Sequence, residues 1–176
     1  MKRLYLLLIV ILTWTTGFAQ YKPVDQGSSV QFVIGNFGFD VNGSFKGIQG
    51  TINFDPQNLA NAHFDVDIDA GTVNTDNSLR DSHLRGDSYF DVKNHPKIRL
   101  ESTKVEATKP GGFMITGKLT IKNTTQNISF PFTATPTADG YQFKGEFKIK
   151  RKDFGVGGTS TISDELQVSL NIIAKK

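Results

Sequence analysis

The sequence has no cysteine, one tryptophan and two methionines in 176 residues. Without cysteine the chain cannot form disulfides, carry out thiolate chemistry, or hold zinc or an iron–sulfur cluster through sulfur ligands. An N-terminal lipid anchor on cysteine is excluded for the same reason. The length is that of one ordinary domain, so we expect its stability to come from packing and hydrogen bonding.

The sequence also lacks an apolar run long enough to span a membrane, which takes about 20 residues. The run at residues 4–12 follows a basic pair and precedes small residues at Gly17 and Ala19. A positive start, a short apolar core and a small-residue cleavage site are typical of secretory signal peptides. We predict that residues 1–19 are a signal peptide and that residues 20–176 form one exported domain.

Excess charge is small once the predicted signal peptide is set aside. The whole chain carries a formal net charge of +3, and Lys2 and Arg3 supply two of those positive charges. The remaining balance of +1 gives no basic footprint for a nucleic acid, so no nucleic-acid partner is predicted. The only tryptophan, Trp14, leaves with the signal peptide, whereas all but one of the 14 phenylalanines remain.

Apolar and polar residues alternate along most of the exported chain, as they do in strands with one buried and one wet face. The alternating segments are residues 30–35, 39–46, 48–54, 64–70, 98–101, 113–122, 128–134, 141–150 and 166–172. Turn residues such as Asp139-Gly140 separate them. Eight or nine such strands leave a barrel or a sandwich. Long strands with short turns favour an all-β, antiparallel up-and-down barrel, which has no free edges.

One segment, residues 75–91, interrupts the alternation. We predict a short helix near residues 76–85, capped by Thr75 or Asp76 and ended by Gly86. Two pairs of opposite charge are spaced i,i+4 along it, Asp76 with Arg80 and Asp81 with Arg85. A helix at this point of a barrel is expected to lie across one mouth or to pack on one side.

The inward-facing rows of the predicted strands are rich in phenylalanine and also contain glycines, namely Gly43, Gly50, Gly117 and Gly145. These glycines either leave room for a ligand or mark sharp bends of a barrel that phenylalanine fills. The first alternative predicts an apolar pocket for a lipid-like molecule. Its candidate lining residues are Phe32, Ile34, Phe39, Val41, Phe45, Ile52, Phe64, Val66, Leu100, Ile115, Leu119, Phe130, Phe143, Phe147 and Val168.

The polar candidates for chemistry are weaker. One outward face carries four polar residues that could form a cation site, namely His63, Asp65, Asp67 and Asp69. We interpret this face instead as a solvated strand surface. Asp81 and His83 lie close in sequence, but neighbouring residues of a helix point in different directions, which does not suit a hydrolytic triad. We predict no metal, no cofactor and no catalytic residue.

The chain resembles the YceI-like family, the bacterial periplasmic, lipocalin-like proteins that bind polyisoprenoids. The resemblance covers nearly the whole exported chain. Its most specific part is the stretch Arg80-Asp81-Ser82-His83-Leu84-Arg85. Further matching parts are Val41–Phe45, Tyr89–Val92, Gly117–Ile121 and Lys150–Val156.

The resemblance implies an eight-stranded lipocalin-like barrel that holds an isoprenoid chain in its interior, in the periplasm and without catalysis. A polar head group would sit at a mouth, where Arg80, His83 and Arg85 are the candidates to bind it. Two other functions stay open, a secreted hydrolase or isomerase using Asp81 and His83, and an empty barrel serving as a stress or adhesion module. A homodimer is left open as well.

Overall fold

The computed structural model describes residues 20–176, and the predicted signal peptide at residues 1–19 lies outside them. The described chain contains eight strands, one α-helix and two 3₁₀ helices. In chain order they are β1 (Gln20–Asn36), β2 (Phe39–Asn53), η1 (Leu59–Asn61), β3 (His63–Asn74), α1 (Ser78–Arg85), β4 (Lys97–Lys109), β5 (Gly112–Ile121), β6 (Thr124–Pro136), β7 (Gly140–Lys150), η2 (Arg151–Phe154) and β8 (Ile162–Lys175).

The eight strands form one closed antiparallel barrel in which each strand pairs with its neighbours in sequence, and β8 pairs with β1. At the closing seam, Phe32 of β1 lies opposite Val168 of β8. Closure gives every strand two partners and so leaves no free edge for pairing with other chains. The predicted fold class, an eight-stranded barrel with a short inserted helix, is confirmed.

The two ends of the barrel are built differently. One end, called the mouth end here, carries the β1–β2 turn at residues 37–38, the segment 75–96 with α1, the turn at 122–123, and the segment 151–161. The other end, called the closed end, carries η1 and the short turns of β4–β5 and β6–β7. The long connections therefore gather at one end, which places most of the non-strand residues around a single opening.

An aromatic plug fills the closed end of the barrel. Its rings come from the ends of β1, β3, β5, β6 and β7 and from the residue directly after β2. They are Tyr21, Phe54, Phe64, Phe113, Phe132, Tyr141 and Phe143. Phe54 is 3% exposed and lies edge-on to the rings of Phe113, Tyr141 and Phe143, with centroids 5.2 to 5.3 Å apart. Edge-to-face contacts at this distance add to the free energy gained by burial.

The pKa of one plug hydroxyl is shifted. Burial raises the pKa of Tyr141 above its usual range, and the neighbouring Tyr21 and Asp55 raise it further. The charged form of this tyrosine is therefore disfavoured at the closed end.

Helix α1 forms where the sequence predicts it, but with different contacts. Its N-cap is Asn77, whose side-chain oxygen accepts a hydrogen bond from the backbone N–H of Arg80 at 3.0 Å, instead of the predicted Thr75 or Asp76. Gly86 ends the helix as predicted, donating its backbone N–H to His83 O. The shift of the cap arises because Asp76 adopts a φ of 57°, so the chain turns sharply before the helix begins.

The inward glycines do not open space for a ligand. A Cβ at Gly43 would lie 2.1 Å from the ring of Phe32, which covers this glycine. A Cβ at Gly117 would lie 2.5 Å from the backbone oxygen of Glu101, where the β4–β5 pairing shifts register. Glycine at these positions admits a ring or a neighbouring backbone.

Strands β6 and β7 pair only near the closed end, from Phe132 opposite Gly145 to Pro136 opposite Tyr141. Towards the mouth end, η2 lies beside the gap between them. Phe154 of η2 is 2% exposed and packs in a small apolar cluster with Leu119. Gln126 of β6 ties the same turn down by donating its Nε2–H to Asp153 O at 2.9 Å. In residues 20–176, no helix has the length and apolar character needed to cross a membrane.

We predict that Phe54→Ala lowers the free energy of unfolding by about 3–5 kcal/mol, the range for removing a buried phenylalanine. Phe54 contacts five other plug rings, so the surrounding side chains cannot collapse into the space without losing their own contacts. Urea unfolding followed by circular dichroism measures the change. The matched control is Phe39→Ala, since Phe39 is 77% exposed, and its effect should stay within about 0.5 kcal/mol. Equal effects of the two variants would contradict the plug.

Candidate ligand cavity at the mouth end

Above the aromatic plug, the mouth half of the barrel encloses a cavity of about 560 Å³. That volume falls in the range of about 300–1,000 Å³ that is typical of small-molecule sites. Aliphatic side chains from β1 to β5, β7 and β8 form most of the wall, including Ile34, Val41, Ile68, Ile98, Leu100, Leu119, Ile149, Leu166, Val168 and Leu170. The cavity is therefore a largely apolar, ligand-sized hollow.

The predicted lining residues divide between the cavity and the packed interior. Nine of them border the cavity, namely Phe32, Ile34, Val41, Phe45, Val66, Leu100, Leu119, Phe147 and Val168. Five others lie in the buried core without bordering it, namely Ile52, Phe64, Ile115, Phe130 and Phe143. These five lie nearer the closed end or beneath the cavity, where rings and branched chains fill the barrel.

Phe39 borders neither the cavity nor the core. It begins β2 at the rim, and 77% of its side chain is exposed. The alternation of β2 predicts an inward ring at this position, but the strand has only just left the turn at Gly38, above the level where the barrel encloses side chains.

Several cavity residues are absent from the sequence-based prediction because they lie outside the alternating strands. Tyr89 and Phe90 follow α1, Leu79 and Leu84 belong to it, and Phe37 lies in the β1–β2 turn. Phe90 packs edge-on against Phe45 with ring centroids 5.4 Å apart, so the segment after α1 folds over the mouth. For the four residues in and after α1, the available signal was the apolar content of the long connection between β3 and β4.

Three charged residues fasten α1 to the end of β3. The carboxylate of Asp81, which is 5% exposed, accepts hydrogen bonds from the backbone N–H and the hydroxyl of Thr75. Arg80 donates from Nε to Thr75 Oγ1 at 2.7 Å and from Nη2 to Thr75 O at 2.6 Å. Arg85 donates to the carbonyl oxygens of Gly71 and Val73 at 2.7 and 2.9 Å.

These contacts replace the two i,i+4 ion pairs predicted along the helix, and neither pair is among the ion pairs found in residues 20–176. The physical reason is burial: carbonyl oxygens at the end of β3 need donors, and the arginines supply them. Asp81 is likewise committed to Thr75 and makes no hydrogen bond to His83 in the described chain. The contacts of Asp81 therefore hold α1 against the end of β3.

The three predicted head-group residues are placed differently. Arg80 and His83 border the cavity from α1, and His83 is exposed. Arg85 does not border it, because its guanidinium turns towards β3. The helix therefore presents one arginine and one histidine to the opening.

Arg151 is a buried cation at the mouth that sequence analysis did not single out as a site residue. Its side chain borders the cavity and is 3% exposed. Its five N–H donors bond to carbonyl oxygens at 2.7 to 3.2 Å, those of Val156, Gly158, Ser160, Ile162 and Ser163. All the donors of a guanidinium are thus used, which fixes the loop between η2 and β8.

Two buried oxygens at the mouth have no hydrogen-bond partner in residues 20–176. They are Asn36 Oδ1 and Ser160 Oγ, and both residues border the cavity. Asn36 is the register partner of Ile162, and Arg151 Nη2 donates to the carbonyl oxygens of both Ser160 and Ile162. The two unpartnered oxygens therefore belong to one side of the mouth. A buried polar atom without a partner carries an energetic cost.

The outward acidic face of β3 forms ion pairs with β4. Asp65 accepts from Arg99 Nε and Nη2 at 2.7 and 2.9 Å, and Asp67 pairs with Lys97 at 3.1 Å. The hydrogen bond from Arg99 holds the pKa of the Asp65 carboxyl below its usual range. In the described chain, no three or more His, Asp or Glu residues form a group that could hold a metal ion.

The barrel and its hollow define a class, the closed eight-stranded barrels with one ligand-sized apolar cavity. The family model described as YceI-like domain matches residues 21–174. The chain belongs to the YceI-like family, and the predicted resemblance is confirmed.

Among curated relatives, a UPF0312 protein of Yersinia pestis (strain Pestoides F) is 30% identical over 164 residues, covering 88% of this chain and 85% of its own. Among solved structures, Burkholderia cenocepacia BcnA aligns with a TM-score of 0.81 at 25% identity, covering 88% of this chain and 99% of its own. A domain of Saccharophagus degradans, described as polyisoprenoid-binding and implicated in plant cell wall breakdown, aligns with a TM-score of 0.72 at 14% identity, covering 90% and 99%. This last likeness shows the shared fold.

We predict that Asp81→Ala lowers the free energy of unfolding by about 1–3 kcal/mol, because the N–H and hydroxyl of Thr75 lose their buried acceptor. In the Asp81→Ala variant, hydrogen exchange should accelerate relative to the parent more in α1 than in the barrel strands. Asp40→Ala is the control, since Asp40 is an exposed aspartate at the same end of the barrel. An unchanged midpoint for Asp81→Ala would show that this carboxylate does not fasten the helix.

Proposed function

We propose that this protein binds a polyisoprenoid or a similar lipid-like molecule in its mouth-half cavity and serves as a periplasmic carrier that performs no catalysis. One observation carries the proposal: a closed barrel is packed solid at one end and hollow at the other, with an apolar wall around about 560 Å³. An apolar chain gains about 0.8 kcal/mol for each CH₂ group that it buries. Few polar contacts are then needed for tight binding.

Membership of the YceI-like family supports a binding role, and a barrel of the same fold from Saccharophagus degradans is described as polyisoprenoid-binding. The periplasmic location rests on the predicted signal peptide at residues 1–19. The absence of catalysis is supported by the commitment of Asp81 to Thr75, which removes the carboxylate on which a hydrolase or isomerase here would depend.

The unpartnered oxygens favour a ligand whose head group carries a hydroxyl. Asn36 Oδ1 can only accept a hydrogen bond, whereas Ser160 Oγ can donate one or accept one. A hydroxyl satisfies both, since it donates to the amide oxygen and accepts from the serine. A fully ionised diphosphate would face the amide oxygen with acceptors only. The residues proposed to meet the head group are thus Asn36 and Ser160 on one side and Arg80 and His83 on the other.

The direct test is native mass spectrometry and lipid extraction of protein purified gently from the periplasm. We expect an apolar molecule to co-purify and to be replaced by an added prenyl alcohol. Protein that is empty in every gentle preparation and binds no added prenyl alcohol would contradict the proposal.

The variant Val168→Trp should weaken binding of a prenyl alcohol at least tenfold, because an indole would project from β8 into the hollow. The change is measured by isothermal titration. The matched control is Gln167→Trp, which places the same indole on the exposed face of the same strand and should bind as the parent does. Equal affinities of the two variants would locate the ligand elsewhere.

We expect Asn36→Leu to weaken binding of a prenyl alcohol by about 3–10-fold, the loss of one hydrogen bond, and to leave binding of the corresponding methyl ether nearly unchanged. Comparative titration with alcohol, ether and diphosphate forms of one chain length measures this preference. If the diphosphate binds best and His83→Gln selectively weakens it, the head group is anionic and lies at α1.

A further inference from the structure

Three large apolar side chains of residues 20–176 stand out into solvent, Phe37, Phe39 and Leu79, with 75%, 77% and 67% of their surface exposed. All three lie at the mouth end: Phe37 in the β1–β2 turn, Phe39 at the start of β2 and Leu79 on α1. Phe37 and Leu79 also border the cavity. We call these three residues the apolar rim. Single exposed apolar residues need no explanation, but a group around one opening does.

A phenylalanine is an unfavourable residue for the backbone conformation that the β1–β2 turn requires. Phe37 and Gly38 form the two-residue turn between β1 and β2 with φ angles of 50° and 83°. Turns of this kind favour asparagine, aspartate or glycine at the first position, and a bulky side chain there is an outlier. The ring of Phe37 is mostly exposed, so packing does not compensate for the strain. Residues in unfavourable backbone conformations cluster at functional sites, so we expect the Phe37 side chain to serve a contact with another molecule.

The size of the rim argues against a second copy of the chain as its partner. A phenylalanine offers about 150–250 Å² of surface, so three side chains exposed by two thirds to three quarters present about 400 Å². A stable interface buries about 800 Å² on each partner. A patch of this size suits a shallow, reversible contact, and patches of this area are often functional.

The charges beside the rim are mixed. Arg80 and His83 lie on α1, whereas the exposed Asp40 and Asp76 flank the turn and the helix. Such a surface has no strong preference for an acidic or basic partner, and its attraction must come from apolar area. A zwitterionic lipid surface meets that description, and aromatic side chains favour the boundary between head groups and acyl chains.

We propose that the apolar rim docks on a lipid bilayer, with Phe37, Phe39 and Leu79 entering its interface, so that the cavity opens directly onto the membrane. This inference rests on the proposed function, because a carrier of a membrane-resident chain must take it from a bilayer. The rim then lets an apolar chain enter the cavity without crossing water.

The test uses the scarcity of tryptophan. In the exported chain, residues 20–176, which contains no tryptophan, Phe39→Trp makes the rim indole the sole tryptophan. Vesicles of phosphatidylcholine should shift its fluorescence to shorter wavelength. The control Gln57→Trp, at the closed end, should show no shift. Replacing a fifth of the lipid by phosphatidylglycerol should change the partition coefficient less than twofold, because apolar area drives the contact.

The second arm separates docking from ligand binding. Phe39→Ser should lower vesicle partitioning at least fivefold, while prenyl-alcohol affinity in the absence of vesicles stays within twofold, since Phe39 does not border the cavity. Gln57→Ser should change neither. Unchanged partitioning of Phe39→Ser would overturn the docking proposal. So would a sedimentation mass that is doubled in the parent and halved in this variant, which would assign the rim to a dimer. Failure of prenyl-alcohol binding, with vesicle binding intact, would instead contradict the proposed function.

Discussion

Closure of the eight-stranded ring is the constraint on which the rest of this structure depends. Each strand is hydrogen-bonded on both sides, so the width of the interior is set by the number and tilt of the strands and not by what fills it. At each level along the axis, side-chain size then decides whether the barrel is solid or hollow. Rings at the closed end meet across the barrel, and Phe54 contacts five of them. Aliphatic chains at the mouth end do not reach each other, and a cavity remains.

This division explains what the sequence could and could not predict. Alternation identifies the strands and favours a closed barrel over a sandwich, whereas the number of eight strands was implied by the family resemblance. Alternation does not give the height of a residue along the axis, so Phe64 and Phe143 of the plug look the same in sequence as Phe147 of the cavity wall. The polar half of the site was harder still. Arg151 takes its place because five carbonyl oxygens of an irregular loop converge on it, and no spacing in the sequence reveals that convergence.

The charged residues of the most specific sequence stretch have mainly structural contacts. Arg80, Asp81 and Arg85 satisfy buried groups of β3, which keeps a helix of only eight residues in place over the opening. Such a short helix is not stable alone and depends on tertiary contacts. The stretch 80–85, whose residue types could suggest a catalytic site, therefore maintains the shape of the mouth. The groups with shifted pKa values, Asp65 and Arg99 on the outer face and Tyr141 in the plug, also lie away from the cavity wall.

The hydrogen-bonding groups and the apolar wall of the mouth differ in what they can contribute to ligand binding. The arginines at the opening have given their hydrogen bonds to backbone carbonyls, so they hold loops in place more than they attract ligands. The oxygens left over, Asn36 Oδ1 and Ser160 Oγ, are few, and they can orient a ligand without dominating its affinity. Affinity must then come from the apolar wall, whose gain scales with the length of chain enclosed. Under the proposed function, such a barrel would select its ligand first by the apolar chain and only second by the head group.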